Sequence, residues 1–363
     1  MQNNPKIGII YDDAFIKEHI PPSPKPVFIS YENPFRIKFI LEFLKKRNLF
    51  QDPNVLIVNP QMINDSILKL AHSDYHINTI RNLSERGGRF LGDEIFLSEN
   101  SYHVAKMAVA GAIKAVESIV KKEYNFTFAL IRPPGHHAVR EKPSGLCLFN
   151  NIALAIYYLR EKMKFNEKIA IIDIDNHFGD GLCQYFYEDP SVLYFSIHEF
   201  DFIEGDVGYI DELGEGKGEG TNINFPVPPG ITDNIFLEFF DLLNHILEQY
   251  KPGLIIVAAG FDMYFADPIG NCNLTSYSYY NFAKKIIEVA NRVCNGKISF
   301  ILEGGYSLIG LPYCVYSIIR AMLNQKYKRP DHEFIRFKER NRKFIVGIKK
   351  ELINLLKKYW NII

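Results

Sequence analysis

Seven short apolar runs punctuate the sequence: KIGIIY (6–11), NVLIV (54–58), FTFALI (126–131), KIAIID (168–173), VLYFSI (192–197), GLIIVAA (253–259) and KISFIL (297–302). They are rich in β-branched and aromatic residues and lack the apolar–polar alternation of a strand with one wet face. Runs of that kind are strands buried on both sides. Between them, residues 100–122, 149–163, 234–250 and 276–293 place apolar side chains at helical spacing. Strands alternating with helices call for an α/β chain with a mainly parallel sheet, covered on both faces. No internal repeat or Pro/Ser-rich linker divides the 363 residues, so one domain is expected over 1–363.

Composition narrows the function classes. Lys and Arg total 42 and Asp and Glu total 42, so net charge offers no argument for a nucleic-acid or membrane partner. No run of apolar residues is long enough to span a bilayer, and the first residues carry no apolar leader, so neither a membrane span nor a signal peptide is expected. The five cysteines, at 147, 183, 272, 294 and 314, form no CxxC pair, which suits reduced thiols and a cytoplasmic protein. GEGKGEG (214–220) lacks the order of a phosphate loop, because Lys217 is followed by Gly218, and reads as a connector. The tail at about 326–363 is basic and patterned as an amphipathic helix on the domain surface, with contact to an acidic partner as the lesser reading. The oligomeric state is not legible.

In an open parallel sheet, ligands bind beyond the carboxyl ends of the strands. FTFALI is followed by RPPGHHA with His136 and His137, KIAII by DIDNH, GLIIVAA by GFD with Asp262, and KISFIL by EGGY with Tyr306. Alternate residues of an extended chain share a face, so Asp173, Asp175 and His177 point the same way. Asp175, His177 and Asp262 make a set of two carboxylates and one imidazole, which leaves a position open for water or substrate. That ligand chemistry fits Zn²⁺, Fe²⁺ or Co²⁺. Asp173 and Asp180 are available to partner the two histidines, and a pair of imidazoles beside such a centre suits general acid–base work. The Tyr306 hydroxyl can donate to a developing oxyanion. Taken singly, each feature has a plainer reading: a helix cap or phosphotransfer aspartate, structural histidines, a tight turn.

Together these segments resemble the histone deacetylase superfamily, which includes acetylpolyamine amidohydrolases and acetoin-utilization proteins. The resemblance rests on RPPGHHA (132–138), GLCLFNNIALA (145–155), DIDNHFGDG (173–181), YFSIHE (194–199), AAGFDMYFADP (258–268) and LEGGYSL (302–308), with YENPFRI (31–37) near the start. It implies the three-layer arginase–deacetylase-like fold, with about eight strands and helices on both faces. It also implies a zinc-dependent deacetylase acting on acetyl-lysine in proteins or on related acetylated amines. On that resemblance Asp175, His177 and Asp262 hold the zinc. His137 is the general base and acid, partnered by Asp180; His136 assists electrostatically, partnered by Asp173; Tyr306 polarises the scissile carbonyl. A structural potassium ion is implied at Asp173, Asp175, His177, Ser196 and Ile197, and a second cation near Phe186, Asp189 and Val192. Gly145 lines the acyl channel, with Leu146, Phe202 and Ile269 along its walls.

Several positions depart from the family pattern. Leu146 stands where the channel usually has an aromatic, Phe178 where a second histidine usually follows the DxDxH motif, and Ile269 where polyamine-selective relatives often carry a glutamate. The last favours acyl-lysine over acetylpolyamine. A two-manganese, arginase-like centre needs a second late aspartate where this chain has Tyr264. A dehalogenase-like phosphatase leaves His136, His137 and Tyr306 unexplained. A non-catalytic acyl-binding scaffold is the remaining alternative.

Overall fold

All seven apolar runs form strands, and their burial explains why. In the computed structural model, which describes residues 5–21, 31–92, 94–339 and 341–362, nearly every residue of the central strands is inaccessible to solvent. The strands are β1 (Ile7–Ile10), β2 (Val55–Val58), β3 (Phe90–Leu91), β4 (Ile95–Phe96), β5 (Phe126–Ala129), β6 (Ile169–Asp173), β7 (Val192–Glu199), β8 (Asn222–Val227), β9 (Leu254–Ala259) and β10 (Ile298–Leu302). Eight of them form one sheet in the order β2-β1-β5-β10-β9-β6-β7-β8, every neighbouring pair parallel; β3 and β4 form a separate small hairpin. Helices cover both faces. Ser101–Val120 lies against β1, β5 and β10 and packs on Asn151–Met163, while Phe35–Lys46, Gly310–Met322, Ser276–Val293 and Phe240–Tyr250 pack in series. The result is the expected three-layer α/β arrangement.

The eighth strand, β8, is absent from the apolar runs for a physical reason. Its sequence, NINFPV, alternates asparagine with apolar residues and contains Pro226. Proline donates no ladder hydrogen bond and is tolerated at a sheet edge, and β8 is one of the two edge strands of the sheet. Its asparagines are buried because their side-chain amides cap loop carbonyls: Asn224 Nδ2 donates to Tyr209 O at 3.0 Å, and Asn222 Nδ2 to Glu212 O at 2.5 Å. The helix Arg342–Leu356 then packs on β8, burying Ile345, Ile348, Leu352 and Leu356. An exposed strand edge is thereby covered. Among the described residues, the basic tail is α-helical only from Arg342, after a single 3-10 turn at Asp331–Glu333. Residues 334–339 run as irregular chain, pinned by Glu339, whose carboxylate accepts from Thr232 N at 3.1 Å and Thr232 Oγ1 at 2.9 Å. The 214–220 segment is the connector expected, with Gly214, Gly216 and Gly220 at positive φ. No described helix is long and apolar enough to cross a membrane.

For function, the order of the central strands matters most. β5, β10, β9 and β6 are consecutive neighbours. They are the four strands whose carboxyl ends lead into His136/His137, Tyr306, Asp262 and Asp175/His177.

Candidate active site

β6 ends on Asp173, which is in register with Ser196 of β7 and Ala258 of β9. Beyond it the chain turns on its own carboxylates: Asp173 Oδ1 accepts the Asp175 N–H at 3.1 Å, and Asp175 Oδ1 accepts the His177 N–H at 3.0 Å. These short bonds aim the imidazole at the neighbouring strand end. His177 Nδ1 lies 3.2 Å from Asp175 Oδ1 and 3.0 Å from Asp262 Oδ2. Asp262 is fixed in turn by the Asn176 N–H, 2.7 Å from its Oδ1, and Asp175 by the Gly304 N–H, 2.8 Å from its Oδ2.

The ligand atoms of Asp175, His177 and Asp262 all lie within 4.8 Å of one another. Asp175 and Asp262 are buried, and among the described residues neither pairs with a lysine or arginine. Burial, and then the Asp175 charge, push the Asp262 carboxyl up to about 6. Burial disfavours charge on His177, but its hydrogen bonds and Coulombic attraction to the two aspartates hold it well above the usual imidazole value. Two buried carboxylates lacking a fixed cation, with an imidazole nitrogen between them, are the donor set of a divalent metal. Gly304 keeps that space open, since a Cβ there would lie 2.5 Å from both Asp175 Oδ2 and Asp262 Oδ2.

The tandem histidines flank this triad and differ in character. His136 is buried; its Nδ1 lies 3.2 Å from Asp173 Oδ2 and its Nε2 3.8 Å from Asp175 Oδ1. Burial opposes its charge, yet the Asp175 and Asp173 carboxylates outweigh that and hold it up at about 10. His137 Nδ1 sits 2.7 Å from Asp180 Oδ1. Burial, and then the charge on His136, lower its affinity for a proton against the pull of Asp180. A neutral His137 with Nδ1–H donated to Asp180 leaves Nε2 free to accept a proton.

A cavity of about 280 Å³ opens over these groups. His136, His137, Asp175 and His177 line its base, and Tyr306 and Gly145 its wall. Leu146, Ile269, Phe178 and Val207 add apolar lining. Tyr306 is buried with the Arg36 guanidinium 4.6 Å from its ring centroid, and its backbone N–H donates to Asp267 Oδ2 at 2.6 Å. Phe202 lines a groove that shares His177, Glu199, Asp206 and Ile269 with this cavity, and there it packs on Phe344 with ring centroids 4.7 Å apart. Phe178 adds an aromatic surface within the cavity. Of the implied cation positions, Asp173 and Ser196 are register partners on adjacent strands. Phe186, Asp189 and Val192 share one turn, in which Asp189 N donates to Phe186 O and Val192 N to Asp189 O, while Arg160 pairs with the Asp189 carboxylate at 2.7 Å.

Two features escaped the sequence reading. Glu303, buried directly after β10, accepts the N–H groups of Gly135 at 2.6 Å and His136 at 3.1 Å through Oε2, so it clamps the turn carrying both histidines. Its Oε1 has no partner, and burial raises the acid to about 7. The signal was a charged residue following an apolar strand. The second is a buried ionic cluster around Glu32. The carboxylate accepts from Arg132 Nε at 2.8 Å and Nη2 at 2.7 Å and from Arg36 Nη1 at 3.3 Å. Arg36 continues to Gly305 O at 2.8 Å and Glu303 O at 2.5 Å, tying the early chain to the Tyr306 turn.

Comparison with known proteins agrees with this geometry. The sequence profile of the histone deacetylase domain matches residues 30–322. The chain belongs to the histone deacetylase family. It is 33% identical to a probable deacetylase of Archaeoglobus fulgidus over 87% of this chain and 86% of that protein. It is also 33% identical to histone deacetylase 18 of Arabidopsis thaliana, over 98% of this chain but 52% of that protein, and to the polyamine deacetylase HDAC10 of Danio rerio, over 82% and 45%. The chain therefore spans about half the length of these last two relatives. Among solved structures, the crystal structure of the HDA15 HD domain superposes with a TM-score of 0.85 at 26% identity, covering 98% of this chain and 96% of that one.

Proposed function

We propose that this protein is a zinc-dependent deacetylase that hydrolyses the acetyl amide of N-acetyl-lysine in proteins. The observation that carries the reading is the meeting of the Asp175–His177–Asp262 triad with His136, His137 and Tyr306 around one cavity. A zinc ion held by the triad, with Fe²⁺ or Co²⁺ as substitutes, supplies Lewis-acid polarisation of the acyl carbonyl and acidifies a water. His137 Nε2 takes the proton of the attacking water while Asp180 fixes the ring. The charged His136, held by Asp173, stabilises the oxyanion, and the Tyr306 hydroxyl donates to it. His137 then returns its proton to the leaving nitrogen as the amide C–N bond breaks, giving acetate and a free amine.

Potassium at Asp173, Asp175, His177, Ser196 and Ile197 is the proposed structural cation, with a second cation in the Phe186–Asp189–Val192 turn. The acyl group lies between Gly145, Leu146, Phe178 and Ile269. We read the chain as a single deacetylase unit over 1–363, since its C-terminal helix completes the cover of β8. The five buried free thiols support a cytoplasmic setting. A second reading, hydrolysis of acetylated polyamines, is supported by the carboxylates of Glu94, Glu199 and Asp206 along the cavity and by the similarity to the zebrafish enzyme. Fluorogenic acetyl-lysine hydrolysis tests the main proposal: activity lost on chelation and restored by Zn²⁺ supports it, and turnover that persists without metal overturns it. Relative kcat/KM for acetyl-lysine peptides and acetylpolyamines separates the two substrate classes.

A further inference from the structure

The first segment of the basic tail has no part in the site described above. It folds beside the helix Gly310–Met322, and together with Arg47, just past the helix Phe35–Lys46, they line a cavity of about 620 Å³. Arg47, Arg320, Lys326, Lys328 and Arg329 all line it, against one acidic residue, Asp331. Arginines elsewhere in the fold, such as Arg132 and Arg160, meet carboxylates at 2.7 Å; among the described residues, none of these five cations does.

Their guanidinium groups make no direct ion pair, although the Arg329 charge also acts on the Asp233 and Glu333 carboxylates. Arg47 lies over the rings of Phe43, Tyr313 and Tyr316, at 4.9, 5.9 and 6.0 Å from the centroids. Stacking leaves the edge N–H groups of a guanidinium free. Arg320 donates Nε and Nη2 to Lys326 O, at 3.2 and 2.8 Å, which fixes the returning chain but uses no anion. Arg329 donates Nη2 to Glu333 O, while its Nε is buried with no hydrogen-bond partner. A buried donor left unmade is costly, and five like charges around one concavity repel. Both penalties fall when an anion with several acceptor oxygens enters, and a phosphate offers the geometry that guanidinium forks match.

We propose that this cavity binds a small phosphate-bearing anion. Its size lies within the range of small-molecule sites, and its concave, aromatic-walled form favours a compact ligand over an acidic polypeptide lying on the surface.

The test is calorimetric titration of the full chain with sodium pyrophosphate in low salt. Saturable binding is expected, weakened tenfold or more when NaCl is raised from about 50 mM to about 500 mM, because screening shortens the reach of these charges. The double variant Arg47→Gln/Lys328→Gln is expected to lose at least tenfold in affinity, with its circular dichroism and basal deacetylase turnover unchanged. Absence of binding, or equal affinity in the double variant, overturns the proposal. Tighter binding of an oligoglutamate peptide than of pyrophosphate also overturns it, and assigns the surface to an acidic protein instead.

Discussion

Replacing Glu32 with glutamine removes the one carboxylate that, among the described residues, pairs with both Arg36 and Arg132. The carboxylate is fully buried between Arg132 and Arg36, and its remaining neighbour, His19, is held neutral at about 3 by burial and by Arg132. Burial alone would raise the Glu32 acid, but the Arg132 charge and hydrogen bonds, with His19 and Arg36, bring it from 4.5 down to about 2. That difference corresponds to about 3 kcal/mol of stabilisation. Stranding two buried guanidinium groups costs about 3–5 kcal/mol by comparison with other broken buried pairs. At about 2.1 cal/mol/K of unfolding entropy per residue, 363 residues convert this into a fall in Tm of about 4–7 °C. The sign with pH is also fixed. A carboxylate whose folded value is depressed contributes fully above its unfolded value near 4.5, and the contribution fades as pH falls toward 2. The gap between wild type and Glu32→Gln in scanning calorimetry therefore stays constant from pH 7 to about 5 and narrows below that. A variant that melts within about 1 °C of wild type at pH 7, or a gap that widens in acid, refutes this account.

Other substitutions probe the site itself. His137→Ala is expected to lower kcat by about 10²–10⁴, and near-normal turnover would remove it from the role of base. Gly304→Ala places a methyl 2.5 Å from both metal-facing aspartate oxygens, so Zn²⁺ affinity measured against a chromogenic chelator should fall at least tenfold while the fold persists; unchanged affinity contradicts the placement. Glu303→Gln keeps an acceptor for the Gly135 and His136 N–H groups and is expected to retain most activity, whereas Glu303→Leu removes it and should depress kcat more than KM. Equal kinetics for the two variants would show that the clamp is unnecessary.

Much of the site was legible because its chemistry sits where strands end. The apolar runs stop abruptly at DIDNH, GFD, EGGY and RPPGHH, and a parallel sheet gathers such ends on one rim. Less was legible wherever a residue's partner is another segment's backbone. Glu303 faces the N–H groups of Gly135 and His136, and nothing in the local pattern of either segment signals the meeting. The same holds for Asn222 and Asn224, whose polarity disguises an edge strand because their amides are satisfied by a loop. Nor does the pattern around Phe202 signal that the loop after β7 carries its ring onto Phe344 of the C-terminal helix.

The adjacency of β5, β10, β9 and β6 also sets a schedule for synthesis. His136 and His137 leave the ribosome long before Asp262 and Tyr306, and β10 must insert between strands made earlier. Asp262 is the last-made member of the proposed metal triad, and the tyrosine turn follows it only after another strand has slotted home. On the proposed function, a nascent chain therefore carries every histidine of the centre yet cannot grip an ion or cut an amide until its sheet is nearly finished, which would make metal capture a late report on correct assembly rather than an early guide to it.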